Sequence, residues 1–256
     1  MMPKESEKFI DSEILEGMTS ISALFNAEEQ NDRTIHKVWI DREKRKSKAS
    51  EIGFLTAKSN QLHFPIEFVS REAIEEYTIG NTHGGIIAFC SARSLPSLTL
   101  DVIDPKGFYV YLEGVEDPYN FGYTLRSLYA AGVNGVILPQ RNWMSAAGVV
   151  ARASAGCSEL FPLFVAEPEE AVSLFRQRGY RVLCAGIRDS VSIFEESFPL
   201  PVLLVIGGEK RGISRKILDM ADQIVRIDYG RSFRGSLSAA SAATVMAFEI
   251  FRQNKS

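Results

Sequence analysis

Three short segments hold nearly all the side chains in this chain that could do chemistry. They are Asn120–Arg126 (N-F-G-Y-T-L-R), Val205–Ser214 (V-I-G-G-E-K-R-G-I-S) and Ile227–Ser241 (I-D-Y-G-R-S-F-R-G-S-L-S-A-A-S). Each joins glycine, which lets the backbone approach a ligand closely, to an amide, carboxylate, guanidinium or hydroxyl able to orient one. The turn Gly207–Gly212 could suggest a phosphate loop, but Ile213 and Ser214 follow where a nucleotidase places Lys-Ser/Thr. No G-x-G-x-x-G follows a strand, so an NAD-type site has no fingerprint either. Metal chemistry finds no support: His36, His63 and His83 precede all three segments and are not spaced as ligands. Cys90, Cys157 and Cys184 stand apart in apolar settings without a C-x-x-C pair, which reads as reduced, buried thiols.

The elements that must position these segments follow from periodicity. Before residue 91 the pattern predicts a helix around Glu13–Phe25, a strand His36–Asp41, a helix Glu51–Gln61, a strand Phe64–Val69, a helix Arg71–Tyr77 and a strand Gly85–Cys90. That is a small α/β domain over 1–91. The stretch 92–106, with two prolines and several hydroxyl residues, reads as a linker. From 107 to 256, near-continuous apolar strands alternate with helices, among them Tyr119–Ala131, Ala146–Ser154, Glu169–Gln177, Arg215–Ala221 and Ser238–Arg252. Such βα repeats predict a mostly parallel sheet with helices on both faces, whose ligand lies beyond the carboxyl ends of the strands. The three chemical segments fall on loops or helix starts that follow strands.

Composition sets the class. The 256 residues are 45% apolar, enough for one large domain or two modest ones with proper cores. The polar start and the lack of a long apolar run predict a soluble, cytoplasmic protein without a membrane span. A formal charge of −3 excludes a histone-like blanket binder of nucleic acid. The dense basic run of Arg42, Lys44, Arg45, Lys46 and Lys48 reads as a solvated loop with a minor claim on RNA.

In order and spacing, the three segments resemble the motifs of the SpoU-type (SPOUT) RNA 2′-O-ribose methyltransferases, roughly N-x-G-x-x-x-R, G-x-E-x-x-G and a late S-L-N-V-S. The resemblance covers 107–256, and the first ninety residues resemble the substrate-binding domain that precedes the catalytic domain in many members. There, Asn81–Phe89 (N-T-H-G-G-I-I-A-F) stands where the family has its H-Q-G-V-A ending. The resemblance implies a carboxyl-terminal trefoil knot, a homodimer with a shared active site, and S-adenosylmethionine held by backbone near Ile206, Gly207, Gly208, Ile227 and Leu237. It implies an RNA substrate, ribosomal in preference to transfer RNA, and no metal.

The resemblance also implies roles for Arg126, Asn120, Glu209, Ser236 and Ser238. Arg126 alone would read as an ion-pair partner on a helix surface. In register with Asn120, Phe121 and Gly122 it is expected to orient the ribose hydroxyl and stabilise the developing alkoxide, because a guanidinium is too weak an acid to be a working base. Asn120, six residues earlier, suits an N-cap, is expected on the same side of the helix, and would hold Arg126 by a hydrogen bond. Glu209 either serves the knot or the arginine, or caps the helix at Arg215. Lys210 and Arg211 could meet phosphate, and Tyr119, Phe121, Tyr229 and Phe233 could stack on a splayed base. Ser238 departs from the family, which places asparagine there, and Ala239–Ala243 reads as close helix packing. That departure motivates the alternative: a non-catalytic RNA-binding or assembly factor that keeps the knotted fold.

Overall fold

The computed structural model describes residues 13–27, 31–78, 83–140 and 146–255. Asn81 and Thr82, which open the family-like ending, lie outside them. Contacts divide the chain into two compact units, the described residues of Met1–Ser94 with Trp143–Leu160, and those of Leu95–Asn142 with Phe161–Ser256.

The first unit contains β1 (Glu13–Glu16), α1 (Gly17–Asn26), β2 (Ile35–Asp41), α2 (Ala49–Leu62), β3 (Ile66–Val69), α3 (Arg71–Glu75) and β4 (Ile86–Cys90). Its sheet runs β1-β4-β2-β3, with β1 and β2 antiparallel to β4 and β3 parallel to β2. Glu13–Glu16, expected within a helix, forms a strand paired with Ile87–Cys90. The reason is a period of two: Leu15 joins the core with Ile21, Val38, Ile40 and Leu55, while Ile14 packs on the opposite face with Ile87 and Phe89. His83, in the turn before β4, is buried, and its Nδ1 accepts the Gly85 N–H at 3.0 Å.

The second unit starts with β5 (Phe108–Leu112), α4 (Pro118–Ala130) and β6 (Gly135–Leu138). The chain then forms α5 (Ala147–Ala153) and α6 (Cys157–Leu160), which group with the first unit. There α5 packs so closely on β1 that a Cβ at Gly148 would come 2.2 Å from the Ile14 carbonyl oxygen. Gly156, at φ +83°, lies against Ala23 of α1. Cys157 is half-buried, because it opens the short α6 rather than filling a core as the sequence suggested; Cys90 and Cys184 are buried, and burial pushes both thiols up to about 12.

The second unit continues with β7 (Leu163–Val165), α7 (Pro168–Gln177), β8 (Arg181–Ala185), β9 (Val191–Ser192), β10 (Val202–Ile206), α8 (Arg215–Asp219), β11 (Gln223–Arg226) and α9 (Ala239–Asn254). Seven strands in the order β7-β6-β5-β10-β8-β11-β9 are all parallel. Central strands β5 and β10 are buried at every position, as their unbroken apolar runs require when both faces are covered. Tyr109 and Tyr111 face a core with Val172 and Phe175 of α7, while α9 packs on β10 and on α4. The stretch expected as a linker is packed in part: Leu98 and Ile103 are buried in this core, and the Leu98 N–H donates to Val165. Among the described residues no helix is long and apolar enough to cross a membrane.

Candidate active site

The site lies beyond the carboxyl ends of β5, β8, β10 and β11. Strand order reverses direction around the β5–β10 pair, where a parallel sheet opens a crevice. After β10 the chain turns through Gly207–Gly212, closed by the Gly212 N–H donating to Gly208 at 2.9 Å, with Gly212 at φ +65°. Two glycines are fixed by close approach. A Cβ on Gly207 would stand 2.3 Å from the Gly212 carbonyl carbon, and one on Gly208 would stand 2.0 Å from the Gly114 carbonyl oxygen. Only bare backbone fits where the loop after β5 crosses the loop after β10.

Beside this crossing is a cavity of about 750 Å³, lined by Ala185–Asp189 after β8, by Ile206–Glu209, Gly212 and Ile213, by Ile227 and Tyr229, and by Ser236, Leu237, Ala242 and Met246. All five positions expected to hold a cofactor, Ile206, Gly207, Gly208, Ile227 and Leu237, line it, together with Glu209 and Ser236. A smaller recess of about 280 Å³ is lined by Gly114–Asp117, Asn120, Glu209 and Lys210. Glu209 therefore borders both spaces. Its Oε1 accepts a hydrogen bond from Asn120 Nδ2 at 3.1 Å, tying the first segment to the second.

Several local expectations are corrected. Asp117, not Asn120, caps α4: its carboxylate accepts the Asn120 N–H at 2.8 Å, and Pro118 takes the first helical position, where no N–H is needed. Asn120 and Arg126 do not share a side of α4, because six residues of helix fall about 120° short of two full turns. The stripe carrying Arg126 instead contains Tyr119 and Tyr123, seven and three residues earlier, both exposed. Arg126 is exposed, makes no hydrogen bond or ion pair among the described residues, and lines neither space. Phe121 is 2% exposed and cannot stack on a base.

Glu209 does not cap α8. Glu113 meets that helix: its Oε2 accepts the Ser214 N–H at 2.9 Å. Ser238, expected inside the last helix, is its N-cap, with Oγ accepting the Ser241 N–H at 3.2 Å. The alanines after it do pack closely, with Ala239, Ala243 and Ala247 buried. Lys210 stands 3.6 Å from Glu116 in an exposed pair. At the end of β11, Arg226 pairs with Asp228 at 2.8 Å. The Ser192 hydroxyl, and then Arg226, hold the Asp228 carboxyl below its usual range. The loop 113–122 was expected beside the ligand as a glycine-rich loop after a strand, whereas the 185–189 loop is the contributor that sequence reasoning missed; position at the end of a parallel strand was the available signal. Among the described residues no group of His, Cys, Asp and Glu could hold a metal ion.

Comparison with known proteins assigns this architecture. Residues 107–248 match the model of the SpoU rRNA methylase family. The chain belongs to that family. Residues 14–96 match the RNA 2′-O ribose methyltransferase substrate-binding domain, so both parts of a SpoU enzyme are present in order. A putative TrmH family tRNA/rRNA methyltransferase of Staphylococcus haemolyticus is 28% identical over 86% of this chain and 89% of its own length. The 23S rRNA (guanosine-2′-O-)-methyltransferase RlmB of Photorhabdus laumondii is 28% identical over 96% of this chain and 100% of its own length. The AdoMet-bound rRNA methyltransferase of Sinorhizobium meliloti superposes with a TM-score of 0.79 at 25% identity, covering 96% of this chain and 89% of that one. This SpoU family member is thus a methyltransferase with S-adenosylmethionine as its cofactor.

Proposed function

We propose that this chain methylates a ribose 2′-hydroxyl of ribosomal RNA, as a cytoplasmic homodimer, with the 750 Å³ cavity as its cofactor site. The observation that carries the reading is the cavity, a single space lined by all five positions that the family resemblance marks for the cofactor. Its residues fit S-adenosylmethionine: the volume is that of a small-molecule site, Gly207 and Gly208 expose backbone, and Ile213, Leu218, Ile224 and Met246 offer apolar walls. When bound, the cofactor supplies an activated methyl on a sulfonium.

The chain's own residues do the rest. Arg126 orients the ribose hydroxyl and stabilises charge developing on its oxygen, while a substrate phosphate takes the proton. Asn120 and Glu209, joined at 3.1 Å, hold the glycine turn against the loop after β5. Ser236, at the cavity wall, is placed to hydrogen-bond cofactor or substrate, and Ser238 fixes the start of α9. The trefoil knot of the second and third segments belongs to the same reading, supported by the family match over residues 107–248.

Arg126 lies outside the cavity of its own chain, and this is why the dimer matters. Tyr119 and Tyr123 share its stripe on α4, and Phe248 and Phe251 on α9 are 42% and 45% exposed. Exposed aromatic faces on two packed helices favour association, and a second copy docked there would deliver Arg126 in trans. Ribosomal RNA is preferred because RlmB of Photorhabdus laumondii, a 23S rRNA enzyme, matches end to end.

The test is transfer of labelled methyl from S-adenosylmethionine to ribosomal and transfer RNA pools from cells lacking the protein, with Arg126→Ala beside the wild type. Label in alkali-resistant dinucleotides of ribosomal RNA, with wild type alone, is the expected result. Label confined to transfer RNA would overturn the choice of substrate. No label, with cofactor and RNA binding intact, would favour the non-catalytic factor.

A further inference from the structure

Residues 227–238 join β11 to α9, and the cavity is lined from both arms of this loop, by Ile227 and Tyr229 and by Ser236 and Leu237. Its middle is exposed, yet built. Phe233 is 60% exposed, and its ring is held in place: it lies 5.8 Å from the Tyr229 ring at 57°, over Gly235, where a Cβ would come 2.5 Å from the Phe233 Cζ. Tyr229 is fixed in turn, because its hydroxyl accepts the Leu237 N–H at 3.2 Å. Arg231 and Arg234 flank Phe233, exposed and without hydrogen bond or ion pair among the described residues. Asp228, the loop's carboxylate, is occupied by Arg226.

An exposed aromatic ring on a loop that also carries two arginines without a partner among the described residues matches the chemistry of an unstacked base and its phosphates. Resting on the methyl-transfer reading, we infer that Phe233, backed by Tyr229, is the stacking platform for a base of the RNA substrate at or next to the target ribose, with Arg231 and Arg234 on the flanking phosphates. The substrate class follows: the target lies in a loop, bulge or other unpaired stretch, because a base stacked inside a helix presents no free face. Stacking alone tolerates any base, so this loop sets the strand state of the target and leaves base identity to other contacts.

The test uses the full chain with S-adenosylhomocysteine, and fluorescein-labelled oligoadenylate as the single-stranded probe beside the same strand in duplex. Phe233→Ala is expected to weaken single-strand binding about 5- to 150-fold, with cofactor affinity unchanged and Phe233→Trp restoring it. Arg231→Ala with Arg234→Ala is expected to flatten the slope of log K against log salt by about 1.4, the effect of two phosphates on a single strand. In methyl transfer, Phe233→Ala raises KM for unmodified ribosomal RNA with little change in kcat, unlike Arg126→Ala. Equal binding of the probe by Phe233→Ala and wild type, or preference of the wild type for duplex, would overturn the platform. Failure of the wild type to methylate any RNA would sink the enzymatic reading instead, and the binding series would still decide the role of Phe233.

Discussion

In the amino-terminal unit the Arg33 side chain has no exposed surface and is held between Glu159, at 2.9 Å, and Glu13, whereas in the carboxyl-terminal unit Arg126, Arg231 and Arg234 face solvent with no partner among the described residues. Burial alone would lower the Arg33 pKa, but Glu159 and Glu13 together hold it above its ordinary value. Glu159 also accepts from Asn31 Nδ2 and Ser158 Oγ, so α6 is bound to the segment before β2 by a charged cluster in which the Arg33 and Glu159 side chains are fully buried. A second pair, Arg152 with Glu16 at 2.6 Å, ties α5 to β1. Charges of this kind fix which chain segments belong together. The unpaired ones cost nothing to present to a polyanion, since no ion pair must first be broken. An overall charge of −3 hides this division, which is why RNA binding has to be read from pairing and not from composition.

Removing one charge from each class separates the two roles. Glu159→Ala leaves a buried guanidinium under-compensated and is expected to cost about 3–5 kcal/mol, read as a lowered urea midpoint. A cost below about 1 kcal/mol would mean that the cluster is wetter than its burial indicates. Arg126→Ala should do the reverse, leaving the unfolding midpoint in place while kcat/KM for RNA falls about 10²- to 10³-fold, the usual loss when one preorganised charge donor is deleted. Should the Arg126 variant unfold earlier and the Glu159 variant lose only activity, the assignment of the two classes would be reversed.

Glycines sharpen the contrast within the carboxyl-terminal unit. At Gly208 an added Cβ meets the Gly114 carbonyl oxygen at 2.0 Å, while at Gly230, in the exposed loop, it meets nothing within 4 Å. Gly208→Ala is expected to lose about 1–3 kcal/mol of stability and most of its cofactor affinity, because two backbones must separate. Gly230→Ala should bind S-adenosylmethionine like the wild type. Equilibrium dialysis of the labelled cofactor separates the cases, and equal binding by both variants would show that the crossing is looser than the structure has it.

Much of this was legible in the sequence, for a physical reason. Val202–Ile206 and Phe108–Leu112 are apolar at every position because parallel strands are buried on both faces, and Gly207–Gly212 announces a turn because backbone must approach backbone there. What stayed hidden depends on partners far along the chain. Nothing local to Asn120 reveals that its amide meets Glu209, 89 residues away, or that Glu113 receives the Ser214 N–H, 101 residues away. The grouping of α5 and α6 with the first unit was equally out of reach, since Gly148 and Glu159 acquire meaning only once β1 and Arg33 lie against them. Glu13–Glu16 was misread because four residues satisfy both a helical and an alternating pattern until the pairing with β4 decides.

The smallest expected effect concerns Ser238, where the family places asparagine. Its hydroxyl accepts the Ser241 N–H, satisfying one of the amides that the start of α9 leaves open. Ser238→Ala should therefore cost about 1 kcal/mol through the cap, whereas Ser238→Asn should be neutral in stability, because asparagine caps as well as serine. Activity then carries separate information. If the asparagine variant gains in kcat while the alanine variant loses only what its stability explains, the native serine is a cap and the family amide has a further role that this chain lacks. If the asparagine variant loses activity at full stability, the shorter hydroxyl is part of a working arrangement in this chain, and the departure from the family pattern is no sign of lost turnover.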